Sequence, residues 1–152
     1  MAIYFAFHLP SLAKQSRRHG LPRIVLTSPR VRCREVGRWL ARWGWRHEVF
    51  EALSEVDFGR WDGRGWDTIA RDEIDTWCAD FMQHAPGGGE PVAALLRRVA
   101  GFDPGAARIV VTHGGWLSAA LWLERGERDT PTSERWPAAP RHGAHVAMQP
   151  RR

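Results

Sequence analysis

Two histidines in this sequence stand where chemistry is expected. His8 directly follows the apolar segment Ala2 to Phe7, and His113 directly follows the segment Arg108 to Thr112. Short, mainly apolar segments of this length are typical of strands that are buried on both faces of a parallel sheet. Ligands bind such sheets in the crevice beyond the carboxyl ends of the strands. We therefore expect the two histidines to face one crevice, although they are far apart in the sequence.

Groups that suit an anionic substrate accompany these histidines. Ser28 and Pro29 are typical of the N-cap and first residue of a helix, which places Arg32 one turn into that helix, near its N-terminal amides. Gly114, with the glycine after it, allows a phosphate to approach the backbone. Glu55 lies in a loop rich in glycine and tryptophan. The set offers a nucleophile, an acid and several donors, which is what phosphoryl transfer requires.

The elements that must position these residues alternate between strands and helices. An alternation of this kind predicts an α/β domain with a mostly parallel sheet. We expect at most a short helix in the polar segment that follows His8. The expected strands are residues 2–7, 23–27, 47–50 and 108–112 with an edge strand at 145–149, and the expected helices are residues 28–43, 66–83, 91–100 and 116–125.

Composition is that of a single globular domain covering residues 1–152. Hydrophobic residues make up 43% of the chain and charged residues 26%, and no apolar run reaches the roughly 18 residues of a membrane span. The first residues lack a basic start and a cleavage signal, so we expect a cytoplasmic protein. The two cysteines, Cys33 and Cys78, are expected to be reduced thiols.

The charge of +5 raises the question of a nucleic-acid partner. Lys14 is the only lysine, and the arginines are scattered along the chain instead of forming one stripe, so we expect no nucleic-acid partner. His142 and His145 have no acidic residues nearby in the sequence, so we expect no metal site there. The expected partner is a small phosphorylated substrate.

Four motifs follow one another along the chain. They are TSPRVRC at residues 27–33, LSEVDFGRWDG at 53–63, GGE at 88–90 and VVTHGG at 110–115. In this order they resemble the motifs of the histidine phosphatase superfamily, in particular members similar to alpha-ribazole phosphatase and phosphoglycerate mutase. The resemblance spans about residues 23 to 115. It implies a three-layer α/β sandwich and a phosphatase that forms a phosphohistidine.

The resemblance also implies a role for each candidate residue. His8 matches the nucleophile, Glu55 matches the general acid, and Arg32 and His113 match the groups that hold the phosphate. No metal ion or other cofactor is implied, because bound donors can stabilise the charge on the transferred group. From their place in the chain, Trp61 and Trp66 are expected to line the mouth of the substrate site.

The chain departs from the superfamily pattern at its first motif. Superfamily members carry Arg-His-Gly there, whereas His8 lies between Phe7 and Leu9, and the connection to the next strand is short. Arg17 or Arg18 can reach the vacant place from this connection. The chain does contain a literal Arg-His-Gly at residues 18–20, but it follows a polar segment instead of a buried strand, so we favour His8.

These departures leave a second function open. A catalytically impaired family member can bind a phosphorylated ligand or a protein partner without hydrolysing it. Phe7 and the shortened first connection favour this alternative, whereas the complete VVTHGG motif favours an active phosphatase. Whether His8 can be phosphorylated separates the two.

Overall fold

The computed structural model of the chain describes residues 2–5, 22–107, 109–126, 129–141 and 144–148. Four residues that bear on the sequence predictions lie outside this part: the expected nucleophile His8, its neighbour Phe7, and both Arg17 and Arg18. The literal Arg-His-Gly motif and the short helix expected after His8 lie outside it as well.

A five-stranded sheet forms the centre of the fold, in the order β3-β2-β4-β1-β5. The first four strands along the chain pair in parallel, and β5 pairs antiparallel with β1 at one edge. The mostly parallel sheet and the edge strand near residues 145–149 are thus confirmed. The strands are β1 (Ala2–Phe5), β2 (Ile24–Thr27), β3 (Arg46–Val49), β4 (Ile109–Val111) and β5 (His145–Met148).

Helices and single 3-10 turns connect the strands. The helices are α1 (Val31–Arg42), α2 (Arg71–Ala79), α3 (Val92–Ala100) and α4 (Gly114–Arg125). The 3-10 turns are Glu51–Leu53, Gly59–Trp61, Trp66–Thr68 and Pro86–Gly88. Within the described residues, none of the helices is long and apolar enough to cross a membrane.

α4 begins two residues earlier than predicted, at Gly114, and two other helices differ from the prediction as well. The first helix begins at Val31 with Arg30 as its N-cap, because Ser28 still belongs to the sheet, where its N–H donates to the carbonyl of Val111 at 3.0 Å. The helix expected over residues 66–83 is a 3-10 turn followed by α2, because Ile69 and Ala70 have extended backbones. In both places tertiary contacts outweigh the local spacing of apolar residues.

Apolar side chains cover both faces of the sheet. Side chains alternate between the faces along each strand, so neighbouring strand residues contribute to different clusters. Val25, Ile109 and Val111 pack with Leu40 of α1 on one face. On the other face, Leu26 and Val110 join a cluster that includes residues of α3 and α4. Burial on both faces explains why these strands are continuously apolar in the sequence.

Candidate functional site

His113 is held by two residues at the carboxyl edge of the sheet. It follows β4, is the N-cap residue of α4 and is buried. The Nη2 and Nε atoms of Arg32 lie 2.8 and 3.2 Å from its Nδ1. Because a guanidinium only donates, Nδ1 must accept, and the proton of the neutral ring is on Nε2. That Nε2–H donates to the Ser28 Oγ at 2.7 Å.

This environment keeps the imidazole of His113 neutral. Burial first, and then the nearby positive charges of Arg32, Arg30 and Arg98, lower its pKa from the ordinary value of 6.5 to about 4. A neutral ring next to a guanidinium forms a donor pair with a single positive charge. Such a pair suits an anion that must be bound and then released.

Ser28 was not among the residues singled out for chemistry from the sequence. It directly follows β2, the strand that pairs with β4, so its hydroxyl lies at the same edge as His113. The sequence signal was present, because Ser28 also follows an apolar strand segment. The residues around Ser28 instead predict a helix N-cap at this position, a role that the structure gives to Arg30.

Glu55 lies against the N-terminus of α4. Its Oε1 accepts the N–H groups of Val56 at 3.0 Å and Trp116 at 3.3 Å, and its Oε2 accepts the Gly115 N–H at 3.4 Å. A Cβ placed on Gly115 would lie 2.6 Å from Oε1, so only glycine leaves room for this carboxylate. The side chain is thereby fixed at the partly positive end of a helix, beside His113.

A buried ion pair positions the loop that carries Glu55. Arg98 pairs with Glu90 at 2.7 Å, and its Nη1 donates to the carbonyls of Ala52 at 3.1 Å and Ser54 at 2.7 Å. Both side chains of the pair are mostly buried, at 23% and 19% exposed. The glutamate of the GGE motif thus acts on the site through Arg98, which holds the residues before Glu55.

A cavity of about 680 Å³ lies at the carboxyl end of β4. Arg32, Glu55, His113 and Gly114 all line it, so the structure brings these predicted site residues together. Aromatic and proline side chains supply much of the remaining wall. These apolar lining residues are Phe58, Trp66, Trp77, Trp136, Pro137 and Pro140.

A family model connects this geometry with known proteins. The model for the histidine phosphatase superfamily (branch 1) matches residues 10–136. The chain belongs to the histidine phosphatase superfamily. The matched range contains Arg32, Glu55 and His113 and begins two residues after His8. No curated protein matches the chain.

Solved structures of similar proteins support the superfamily fold. The alpha-ribazole phosphatase from Shigella flexneri is 30% identical, over 67% of this chain and 55% of that one, with a TM-score of 0.52. A mycobacterial glucosyl-3-phosphoglycerate phosphatase, solved with VO3, is 25% identical over 77% and 64%, with a TM-score of 0.58. YhfR from Bacillus stearothermophilus is 22% identical over 89% and 70%, with a TM-score of 0.65. The chain thus spans about half the length of the alpha-ribazole phosphatase.

The two tryptophans expected at the mouth of the substrate site have different positions. Trp66 is 56% exposed and lines the cavity. Trp61 is buried, is absent from the described lining, and donates its Nε1–H to Glu73 at 3.0 Å. Its ring contacts Trp66 and Trp77, with centroids 6.4 and 6.0 Å away. Trp61 therefore supports the wall from behind, because its polar atom is used by Glu73, and Trp77 lines the cavity instead.

Cys33, on the first turn of α1, also lines the cavity. Its Sγ lies 3.6 Å from the Nε2 of His113 and 3.6 Å from the carbonyl oxygen of Thr112. Burial raises the pKa of this thiol to about 11, against the opposing effect of Arg32. A thiol that stays protonated is a poor nucleophile, so the role of Cys33 is to pack beside His113 and not to attack the substrate.

The lowered pKa of His113 predicts a dependence of stability on pH. Between about 6.5 and 4 the unfolded chain binds a proton at His113 that the folded chain does not, so the free energy of unfolding should fall as the pH is lowered through this range. His113→Asn removes this contribution. The free energy of unfolding of the variant, measured with urea, should therefore fall less steeply as the pH is lowered. His47, whose pKa is also lowered by burial, stays in both proteins. Parallel pH profiles for the two proteins would contradict the assignment.

Proposed function

We propose that this chain is a phosphomonoester hydrolase that acts on a small organic phosphate through a phosphohistidine at His8. The observation that carries the proposal is the convergence of Arg32, His113 and Glu55 on one cavity at the carboxyl edge of the sheet. Donors, a neutral imidazole and a carboxyl group in one cavity are the parts that phosphoryl transfer uses.

The pairing of β1 supports His8 as the nucleophile. β1 lies beside β4 in parallel, with Phe5 next to Val111. His8 follows Phe5 by three residues, and His113 follows Val111 by two. β1 therefore ends level with β4, at the edge of the sheet where Arg32 and His113 meet, and His8 comes three residues later in the sequence. The literal Arg-His-Gly motif has no such neighbouring strand before it in the sequence.

The proposed reaction has two steps. In the first, a ring nitrogen of His8 attacks phosphorus, the ester P–O bond breaks, and Glu55 gives its proton to the departing oxygen. In the second, water attacks the phosphohistidine, the P–N bond breaks, and the Glu55 carboxylate takes the proton from that water. The products are an alcohol and inorganic phosphate, and both side chains return to their starting forms.

Arg32 and His113 would hold the phosphoryl group during both steps. The Arg32 guanidinium has five N–H donors, and two of its nitrogens already point at His113, which fixes its orientation. The Nε2–H of His113 can turn from Ser28 to a phosphoryl oxygen without any change of charge. The N–H of Gly114 is left for the same anion, because the N–H groups of Gly115 and Trp116 already donate to Glu55.

The size and lining of the cavity support an organic substrate. At about 680 Å³ the cavity is much larger than a phosphate group and falls in the range of drug-sized ligand sites. Its anion-binding groups lie beside an apolar wall that includes Phe58, Trp66 and Trp77. We expect the phosphate to bind near Arg32 and the organic part to contact these rings.

The test is turnover of p-nitrophenyl phosphate by the wild type and three histidine variants. We expect hydrolysis and an acid-labile phosphoenzyme in the wild type, and loss of both in His8→Ala. We also expect a drop of about a hundredfold or more in His113→Ala, because it removes a preorganised donor. His19→Ala, in the literal Arg-His-Gly motif, is the matched control and should retain full activity.

The possible results separate the alternatives. Activity that survives His8→Ala but disappears in His19→Ala would make the literal motif the nucleophile. A wild type that binds inorganic phosphate but shows neither turnover nor a phosphoenzyme would favour the binding-protein function. Turnover that survives both His8→Ala and His113→Ala would place the reaction outside this cavity.

A further inference from the structure

The segment that follows α4 is anchored to the body of the domain by aromatic contacts. The ring of Trp136 stacks on Trp122 of α4 at 6.1 Å and meets the edge of Phe81 at 5.5 Å. Arg135 lies over the Trp122 ring, 5.7 Å from its centroid, and pairs with Asp129 at 3.0 Å. The path of the segment as it leaves Trp136 is therefore fixed.

Beyond Trp136 this segment forms one wall of the cavity described above. Residues 137–141 all line the cavity, and two of them are prolines, which restrict the backbone. Ala139 packs so closely that a Cβ placed on Gly114 would lie 3.0 Å from its own Cβ. Because Gly114 directly follows His113, the wall passes next to the anion-binding groups.

Arg141 lies where the segment that forms this wall of the cavity leads into β5. The Ala144 N–H donates to the Arg141 carbonyl at 2.9 Å, and β5 then begins at His145, opposite Phe5 at the end of β1. Since β4 and β5 flank β1, they are about 10 Å apart. Arg141 thus stands at the same carboxyl edge as His113 and close to the end of β1.

The charge of Arg141 has no partner in the described part of the chain. The residue is exposed and lines the cavity, and its guanidinium makes no hydrogen bond or ion pair with a described side chain. Glu55 is the carboxylate of the described lining, and it is held by backbone N–H groups. An unpaired guanidinium on the wall of an anion-binding cavity is suited to binding two oxygens of a phosphate.

We propose that Arg141 is a second phosphate-binding arginine, which holds the substrate phosphoryl group together with Arg32. This inference rests on the proposed function. Arg32 is oriented by His113, so it reaches the anion from the side of α1. Arg141 approaches from the segment beyond α4, and together the two arginines would bracket the phosphoryl oxygens.

The test measures the dissociation constant of inorganic phosphate by ³¹P NMR titration. We expect Arg141→Ala to raise it about tenfold or more, because a charge-assisted hydrogen bond is lost. Arg141→Lys should show a smaller rise, since lysine keeps the charge but lacks the planar fork. The matched control is Arg97→Ala on α3, an exposed arginine that is absent from the described cavity lining, and it should bind as the wild type does.

The controls keep the two proposals apart. Unchanged phosphate binding in Arg141→Ala, in a protein that loses binding on Arg32→Ala, would overturn the role of Arg141 alone. Wild-type protein that binds no inorganic phosphate would overturn both proposals. Circular dichroism and thermal melting of the two Arg141 variants should match the wild type, because the side chain is exposed. If both variants lose structure and the dissociation constant rises for that reason, the proposed role of Arg141 in binding phosphate is also overturned.

Discussion

Gly87→Ala is expected to destabilise the protein by roughly 3 kcal/mol. Gly87 has a φ of +61°, and a Cβ there would overlap the carbonyl oxygen of Phe58 and lie 2.9 Å from the Trp61 nitrogen. The two loops that carry these residues pack backbone against backbone, so neither can yield by rotating a side chain. Strain from the left-handed conformation and overpacking therefore add to each other.

Gly88→Ala is the matched control for this substitution. Gly88 has a similar φ of +78°, but no atom lies within 4 Å of the position of its Cβ. We expect a cost of only about 1 kcal/mol, from backbone strain alone. Urea unfolding of both variants measures the difference. Equal costs would mean that the close contact with Phe58 does not exist in solution.

The packing of these loops also matters for the site. Phe58 lines the cavity, and the Glu90 N–H donates to the Asp57 carbonyl at 2.7 Å. A loop displaced by Gly87→Ala would move Phe58 together with the start of the GGE-containing segment. We therefore expect the variant to lose affinity for the organic part of the substrate as well as stability.

Arg32→Ala is expected to lower kcat/KM for p-nitrophenyl phosphate by a factor of about 100 or more. The substitution removes the charged donor nearest to the proposed phosphoryl position and also the two contacts that orient His113. Because the charge of Arg32 holds down the pKa of His113, the pKa should rise in the variant. An NMR titration of the His113 ring measures this second effect independently of turnover.

Arg38→Ala is the control for Arg32→Ala. Arg38 belongs to the same helix, is exposed, and pairs with Glu35 at 2.6 Å, away from the described cavity lining. It should keep both the activity and the His113 titration of the wild type. Activity retained in Arg32→Ala would show that this arginine does not hold the phosphoryl group, whatever its contact with His113.

Much of the fold could be predicted from the sequence because the strands are buried on both faces. Segments such as residues 23–27 and 108–112 are short and apolar, and few other elements have that pattern. The parallel arrangement then follows from the helices between them. The same reasoning placed Arg32, Glu55 and His113 on one cavity, because strand ends and loops at one edge of a sheet converge.

The finer details could not be predicted because they depend on contacts between distant segments. Ser28 has the local pattern of a helix N-cap, and only its pairing with Val111 keeps it in the sheet. Trp61 and Trp66 lie close together in one loop and look alike in the sequence. Trp61 nevertheless donates a hydrogen bond to Glu73, whereas Trp66 lines the cavity. No local signal distinguishes a tryptophan that supports a wall from one that forms its surface.

The position of β1 sets the order in which the domain can be completed during synthesis. β1 is made early, but both of its neighbours, β4 and β5, come from the later part of the chain. A nascent chain that has reached α3 therefore carries an apolar strand without its partners, and burial must wait until residues beyond 109 leave the ribosome. The cavity at the carboxyl end of β4 can form only at that late stage, because His113 directly follows β4.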